Sequence, residues 1–286
     1  MTEPGPSKGL TPLREAVNDT MSAVVWGMEG TGKTLHILRD WPAPIVILNL
    51  DRPLTRAHLG FLEPERIDQI HVRNLRGGTQ DITLADALRI KKEIEETINQ
   101  NLKWLAGGTL LLDGGTTYRT VINLADPIVG PKLAKGEKVY ELEKGPMNLY
   151  LEGMVNFLQD QGINPVITAH AAHTWKSDGP TTSVYPKVNS VFFAACNLSI
   201  LLLKRCECGR NVISQDGACS VENAAGTPSE GHQGRQHIGR IVTNKFFTAT
   251  EGSEWPDLTY ARLRDLCFNP SKAKLLMEAN PLGKRP

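Results

Sequence analysis

Apolar residues gather along this chain in short continuous runs, each ended by a polar residue or a glycine. Ala23-Val24-Val25-Trp26 is the first run, Ile45-Val46-Ile47-Leu48-Asn49-Leu50 the second and Thr109-Leu110-Leu111-Leu112-Asp113 the third. Runs this short, with no polar alternation, predict strands buried on both faces, as in parallel sheets. Asn164 to His170 predicts a strand with a polar end, Leu198 to Leu203 another, and His237 to Phe247 the late strand of a hairpin. Lys33 to about Asp40 predicts a helix stopped by Pro42 and Pro44. Leu84, Leu88, Ile94, Ile98, Leu102 and Leu105 recur mostly at three- and four-residue steps, which predicts a helix over 83–105 ended by Gly107-Gly108. The charges on that helix, Lys91, Lys92, Glu93, Glu95 and Glu96, read as a solvated face.

Residues 126–146 carry Pro127, Gly130, Pro131, Gly136, Gly145 and Pro146 and read as a long loop. Helices follow near 147–160, 257–266 and 271–279. Residues 1–12 read as a flexible lead-in and 13–286 as one domain. The polar, Gly-rich stretch at about 205–236 reads as an insertion, partly disordered. Strands alternating with helices predict an α/β fold with a doubly wound, mostly parallel sheet. Ligands bind beyond the carboxyl ends of such strands, so the polar residues that end the apolar runs are the informative ones.

At 286 residues the chain is long enough for one large α/β domain. Its net charge is +1, so no global basic field announces nucleic acid, and any such binding must come from a local patch. No apolar stretch approaches a membrane span. The polar start Met1-Thr2-Glu3-Pro4-Gly5 is neither signal nor transit peptide, which leads to the expectation of a cytoplasmic protein. The five cysteines, an odd count, argue against a disulfide framework.

Chemistry enters at residues 27–34, Gly-Met-Glu-Gly-Thr-Gly-Lys-Thr, which match G-x-x-x-x-G-K-[ST] between a predicted strand and a predicted helix. In a phosphate-binding P-loop, Gly27, Gly30 and Gly32 let the backbone wrap and turn its N–H groups inward. Met28, Glu29, Thr31 and Leu35 complete the cradle. Lys33 supplies a point charge to the β- and γ-phosphates, the Thr34 hydroxyl a ligand for Mg²⁺, and the helix its positive end. Asp113 ends the third run at the Walker B position, where a carboxylate holds Mg²⁺; the bland reading is a strand-end cap. Gly114 follows it, where AAA+ proteins carry a catalytic Glu.

Four segments together resemble the phage-encoded, RecA-like P-loop ATPases with an AAA-type domain, some of which act in single-strand annealing or recombination. They are Gly-x4-Gly-Lys-Thr, the Asn49-Leu50-Asp51 strand end, Leu110-Leu111-Leu112-Asp113-Gly114-Gly115-Thr116-Thr117, and Ile167-Thr168-Ala169-His170. The resemblance covers residues 13 to about 204. It implies a RecA-like core, ATP with Mg²⁺, hydrolysis, a homo-oligomer with nucleotide at its interfaces, and work in phage DNA recombination, repair or replication within the bacterial host cytoplasm. It further implies that Asp51 is the general base for the attacking water, although the family more often has Glu there. His170 falls at the position of a polar γ-phosphate sensor, and Lys245 at that of a cation reaching the neighbouring subunit's phosphate, although Phe246-Phe247 departs from the family pattern.

Lys132, Lys135 and Lys138 space three charges along the loop after Walker B, suited to backbone contact with single-stranded DNA; Tyr140 is placed to stack on a base, or the loop is merely solvated. Cys206, Cys208, Cys219, His232 and His237 contain enough ligands for structural Zn²⁺, but Cys-x-Cys is tight and the histidines distant, so reduced thiols are the favoured reading. Cys196 and Cys267 read as core residues. Two rivals to a DNA-linked ATPase stand: a nucleotide-gated binding module with little turnover, and a P-loop small-molecule kinase whose lid would draw on Arg205, Arg210, Arg235 and Arg240.

Overall fold

The computed structural model describes residues 19–51, 54–75, 81–140, 144–176, 179–188, 190–206, 211–212, 234–256, 258–280 and 282–283. In chain order these form β1 (Ala23–Gly27), α1 (Lys33–Asp40), β2 (Ile45–Asn49), α2 (Arg56–Leu59), α3 (Pro64–Ile67) and β3 (Ile70–Asn74). Next come α4 (Leu84–Leu105), β4 (Thr109–Asp113), α5 (Gly115–Ala125), α6 (Val129–Ala134), α7 (Gly145–Asp160) and β5 (Asn164–Lys176). The chain continues through β6 (Gly179–Pro186), α8 (Ser190–Ala195), β7 (Leu198–Cys206), β8 (Asn211–Val212), β9 (Gly234–Asn244), β10 (Glu254–Pro256), α9 (Tyr260–Phe268) and α10 (Pro270–Glu278).

Among the described residues the strands lie in the order β10-β9-β7-β1-β5-β4-β2-β3, with β6 on β5 and β8 on β7. The six strands from β7 to β3 run parallel; β9 and β10 continue the sheet antiparallel. β5 therefore separates β1, which leads into the glycine-rich loop, from β4, which Asp113 ends, and the sheet is the expected doubly wound, mostly parallel one carrying the expected hairpin, β7 with β9. Alternate residues of each apolar run feed opposite faces. Val24, Trp26, Val46, Leu48, Leu110 and Leu112 pack with α4, α5 and α7, whereas Ala23, Val25, Ile45, Ile47 and Leu111 pack with α1, α9 and α10. Burial on both sides is why these strands are uniformly apolar rather than alternating.

Three of the differences between the sequence expectations and the structure have a plain physical reason. Residues 126–146 are not one long loop: α6 lies within them, with Val129 and Gly130 buried, and an unforeseen α5 precedes it. Gly115-Thr116-Thr117 opens α5 despite its turn-like composition, because Gly114 absorbs the sharp exit from β4. The edge strand β3 escaped notice because it is largely exposed and its polar residues break the apolar pattern. The third difference concerns Leu88, read as part of the apolar stripe of α4. It is 51% exposed, and Ala87, Ile90, Ile94 and Ile98 form the buried face. The predicted lead-in at 1–12 lies outside the described residues, as do Cys208, Arg210, Cys219, His232 and the side chains of Arg205, Cys206 and Arg235. No helix among the described residues is long and apolar enough to cross a membrane.

The two faces of α4 make opposite stability predictions. Ile94→Ala removes a fully buried branched side chain and should lower the unfolding free energy by about 2–5 kcal/mol. Leu88→Ala should change it by no more than about 0.5 kcal/mol. Urea denaturation of both variants checks the assignment.

Candidate functional site

A cleft of about 670 Å³ opens at the carboxyl ends of β1, β2, β4 and β5. Its floor is the loop between β1 and α1. Gly32 has φ 81°, a left-handed conformation that a side chain disfavours, and it caps α1 without a side-chain hydrogen bond. The loop wraps Lys33, only 9% exposed, whose Nζ donates to the Gly27 and Met28 carbonyls at 3.2 and 3.0 Å. Burial lowers the Lys33 pKa from its ordinary value, against the opposing pull of Asp113, Asp51 and Glu29.

Asp113, 7% exposed, is the junction of the site. Thr34 Oγ1 donates to its Oδ2 at 3.1 Å, and Thr168 Oγ1 donates to its Oδ1 at 2.5 Å. The Gly114 N–H in turn donates to Thr168 Oγ1 at 3.0 Å. Desolvation raises the Asp113 pKa above the ordinary carboxylate value, although both hydroxyls favour the charged form. A buried carboxylate beside a threonine hydroxyl is an oxygen donor set of the kind a hard divalent cation such as Mg²⁺ takes. Because its burial disfavours the anion, the carboxylate is short of positive charge, and the arrangement fits such a cation.

At the neighbouring strand ends, His170 Nε2 lies 2.8 Å from Asp51 Oδ2, joining two residues 119 positions apart. With the carboxylate ionised, the imidazole is the donor. The Asp51 backbone N–H donates to Asn49 Oδ1 at 3.1 Å, and Asn49 Nδ2 donates to Asn74 Oδ1 on β3. Both Asp51 and His170 line the cleft with Met28, Glu29, Gly30, Gly32, Lys33, Thr34, Leu35 and Asp113.

Four participants were not singled out from the sequence. Thr168 lies two residues from His170, so the period of a strand puts both on one face and was the available signal. Lys187 also lines the cleft; its N–H donates to the His170 carbonyl at 2.7 Å and its carbonyl accepts from Thr116 Oγ1. Phe61, 67% exposed, lines the same cleft beyond β2 with His58. No local signal marks these three, because pairing of β6 on β5 and the turn after β2 bring them in. His237, weighed as a zinc ligand, instead has Nδ1 at 3.1 Å from the Thr31 carbonyl of the loop. Among the described residues, no three His, Cys, Asp or Glu side chains gather as a metal site of that kind.

The remaining candidates lie apart from the cleft lining. Asn244 at the end of β9 pairs with Leu198 at the start of β7, so Lys245 emerges at the end of the sheet opposite the cleft, where Nζ donates to the Ala194 carbonyl. Lys132 is on α6 and Lys135 caps that helix, in place of the expected loop; Lys138 Nζ stands 5.3 Å from the centroid of the Tyr140 ring.

Fold and site together define a doubly wound, mostly parallel α/β fold with a glycine-rich loop and strand-end carboxylates gathered at one cleft. No protein-family profile matches the sequence, and no characterised protein resembles it significantly in sequence. In structure it is similar to a KaiC-like protein from the hyperthermophilic archaeon Pyrococcus horikoshii OT3, at 13% identity over 84% of this chain and 85% of that one, with a TM-score of 0.40. It is also similar to an ATPase of the type III secretion system of pathogenic bacteria (16% identity, 63% of this chain, 50% of that one, TM-score 0.36). A third is the type III secretion ATPase EscN of enteropathogenic E. coli, solved with its central stalk EscO (14% identity, 63% and 42% coverage, TM-score 0.39).

The raised Asp113 pKa yields a pH prediction. The folded state holds the Asp113 proton more tightly than the unfolded chain, so stability falls as pH rises from the ordinary value of 3.8 through the raised one. Asp113→Asn should therefore melt above the wild type at pH 7, and the gap should close as pH falls toward 3.8. Calorimetric melts across that range check the sign.

Proposed function

We propose that this protein is an Mg²⁺-dependent ATPase whose turnover serves DNA recombination, repair or replication in a phage-infected bacterial cytoplasm. The observation that carries the enzymatic part is the convergence of Lys33, Thr34, Asp113 and the Asp51–His170 pair on one cleft. In this reading Lys33 leaves the loop carbonyls for the β- and γ-phosphates, and the inward N–H groups of residues 28–35 cradle the anion. Thr34 and Asp113 would hold Mg²⁺, whose charge would offset that of the phosphates. Asp51 orients the attacking water and accepts its proton, while His170 holds the carboxylate and reports whether the terminal phosphate is present. Leu54, His58 and Phe61 supply the less polar wall suited to the nucleoside.

The DNA assignment draws its support from the resemblance of the four sequence segments and from Lys132, Lys135 and Lys138, which suit contact with a single-stranded backbone. Assembly into a homo-oligomer would give Lys245 its role, since it emerges at the end of the sheet opposite this chain's own cleft. A second reading, a nucleotide-gated binding module, is favoured by one observation: the Asp51 carboxylate is already engaged by His170.

ATP turnover with and without single-stranded DNA decides between them. The wild type should hydrolyse ATP faster with DNA, and Lys33→Ala should abolish both binding and turnover. Asp51→Asn should retain binding and lose about 10²–10⁴-fold in kcat. Tight binding with no turnover in the wild type selects the gated module, and phosphorylation of an added nucleoside would select a kinase.

A further inference from the structure

We propose that His237 is a positioning residue for the phosphate loop, holding the Thr31 carbonyl outward and so aiming the Gly32 N–H at the bound anion. The inference rests on the reading that this loop binds phosphate. Across a trans peptide the carbonyl and the following N–H point in opposite directions. Only the Ala43–Pro44 bond is cis among the described residues, so the Thr31–Gly32 unit obeys this rule. A donor that fixes the Thr31 oxygen therefore fixes the direction of the Gly32 donor as well.

His237 makes that contact from β9, 206 residues away, with Nδ1 at 3.1 Å from the oxygen. A carbonyl cannot donate, so the proton is on Nδ1. The imidazole also lies over the next residue: a methyl group on the Gly32 α-carbon would stand 3.5 Å from Cε1 and 3.6 Å from Nδ1. Other carbonyls here are held locally. Lys33 Nζ takes those of Gly27 and Met28, the Thr31 hydroxyl shares that of Met28, and the His36 N–H takes that of Gly32. The Thr31 carbonyl takes its partner from across the sheet instead. The order β9-β7-β1 thus brings the hairpin strand to the P-loop and makes the geometry of the phosphate cradle depend on it.

His237→Phe keeps the flat ring and removes the donor; His237→Gln replaces the ring but keeps an N–H that can reach a carbonyl. Two measurements on the full chain are needed. The first is hydrogen exchange of the amides over residues 28–35 without nucleotide, and the second is the Kd for ATP with Mg²⁺. His237→Phe should exchange faster over that segment and bind ATP about five- to tenfold more weakly, the scale of one lost hydrogen bond. His237→Gln should recover most of both, with melting temperatures matching the wild type. Wild-type exchange and affinity in His237→Phe would overturn the proposal, as would His237→Gln being as impaired as His237→Phe, which would assign the effect to ring shape. If the wild type binds no ATP, the functional reading fails, while loop exchange in the two variants still decides whether His237 orders the loop.

Discussion

The buried carboxylate of Asp113 is the constraint around which this site is organised. It receives a hydroxyl from α1 through Thr34 and one from β5 through Thr168, so three elements far apart in sequence are tied at one charged group. Such a group is costly to bury unless it is bonded or neutralised. Its raised pKa shows that the two hydroxyls do not fully offset desolvation. What would restore the balance is a cation, and Lys33 already sits in the same cleft, its own charge disfavoured by burial. The site thus pairs a buried anion and a buried cation that are each under-compensated, a state suited to receiving a metal-bound polyphosphate.

The same junction explains where the second carboxylate comes from. Gly114 leaves β4 at φ 105°, and a Cβ there would stand 3.2 Å from the Asp51 N–H nitrogen. A Glu directly after Asp113 would be strained by the backbone conformation and crowded by the close approach of β2, whose end is held by the Leu50 N–H on the Asp113 carbonyl at 2.8 Å. The strand end that crowds this position is the one that carries Asp51. The aspartate side chain is short, and His170 meets it across the cleft. The pairing joins β2 to β5 over the end of β4, the strand that lies between them.

The parallel core was legible because strands buried on both faces leave uninterrupted apolar runs, and Gly27 to Thr34 carries its own geometry in its glycines. Asp113 and Asp51 were legible as strand-ending carboxylates, and the order of the strands then determined that they would meet. What escaped the sequence depends on pairing partners that no local pattern encodes. Lys187 reaches the cleft only because β6 folds back on β5, and His237 only because β9 lies two strands from β1. The exposed strand β3 and the helix α6 escaped for the opposite reason: exposure blurs the apolar period, and the glycine and proline of α6 imitate a loop.

The central claim, that Lys33, Thr34 and Asp113 form a metal-dependent triphosphate site, is tested most directly by calorimetric titration with a non-hydrolysable ATP analogue, in Mg²⁺ and again in EDTA. The account predicts saturable binding at one site per chain that weakens strongly when the metal is removed. Absence of binding in Mg²⁺, or equal affinity with and without the metal, would contradict it.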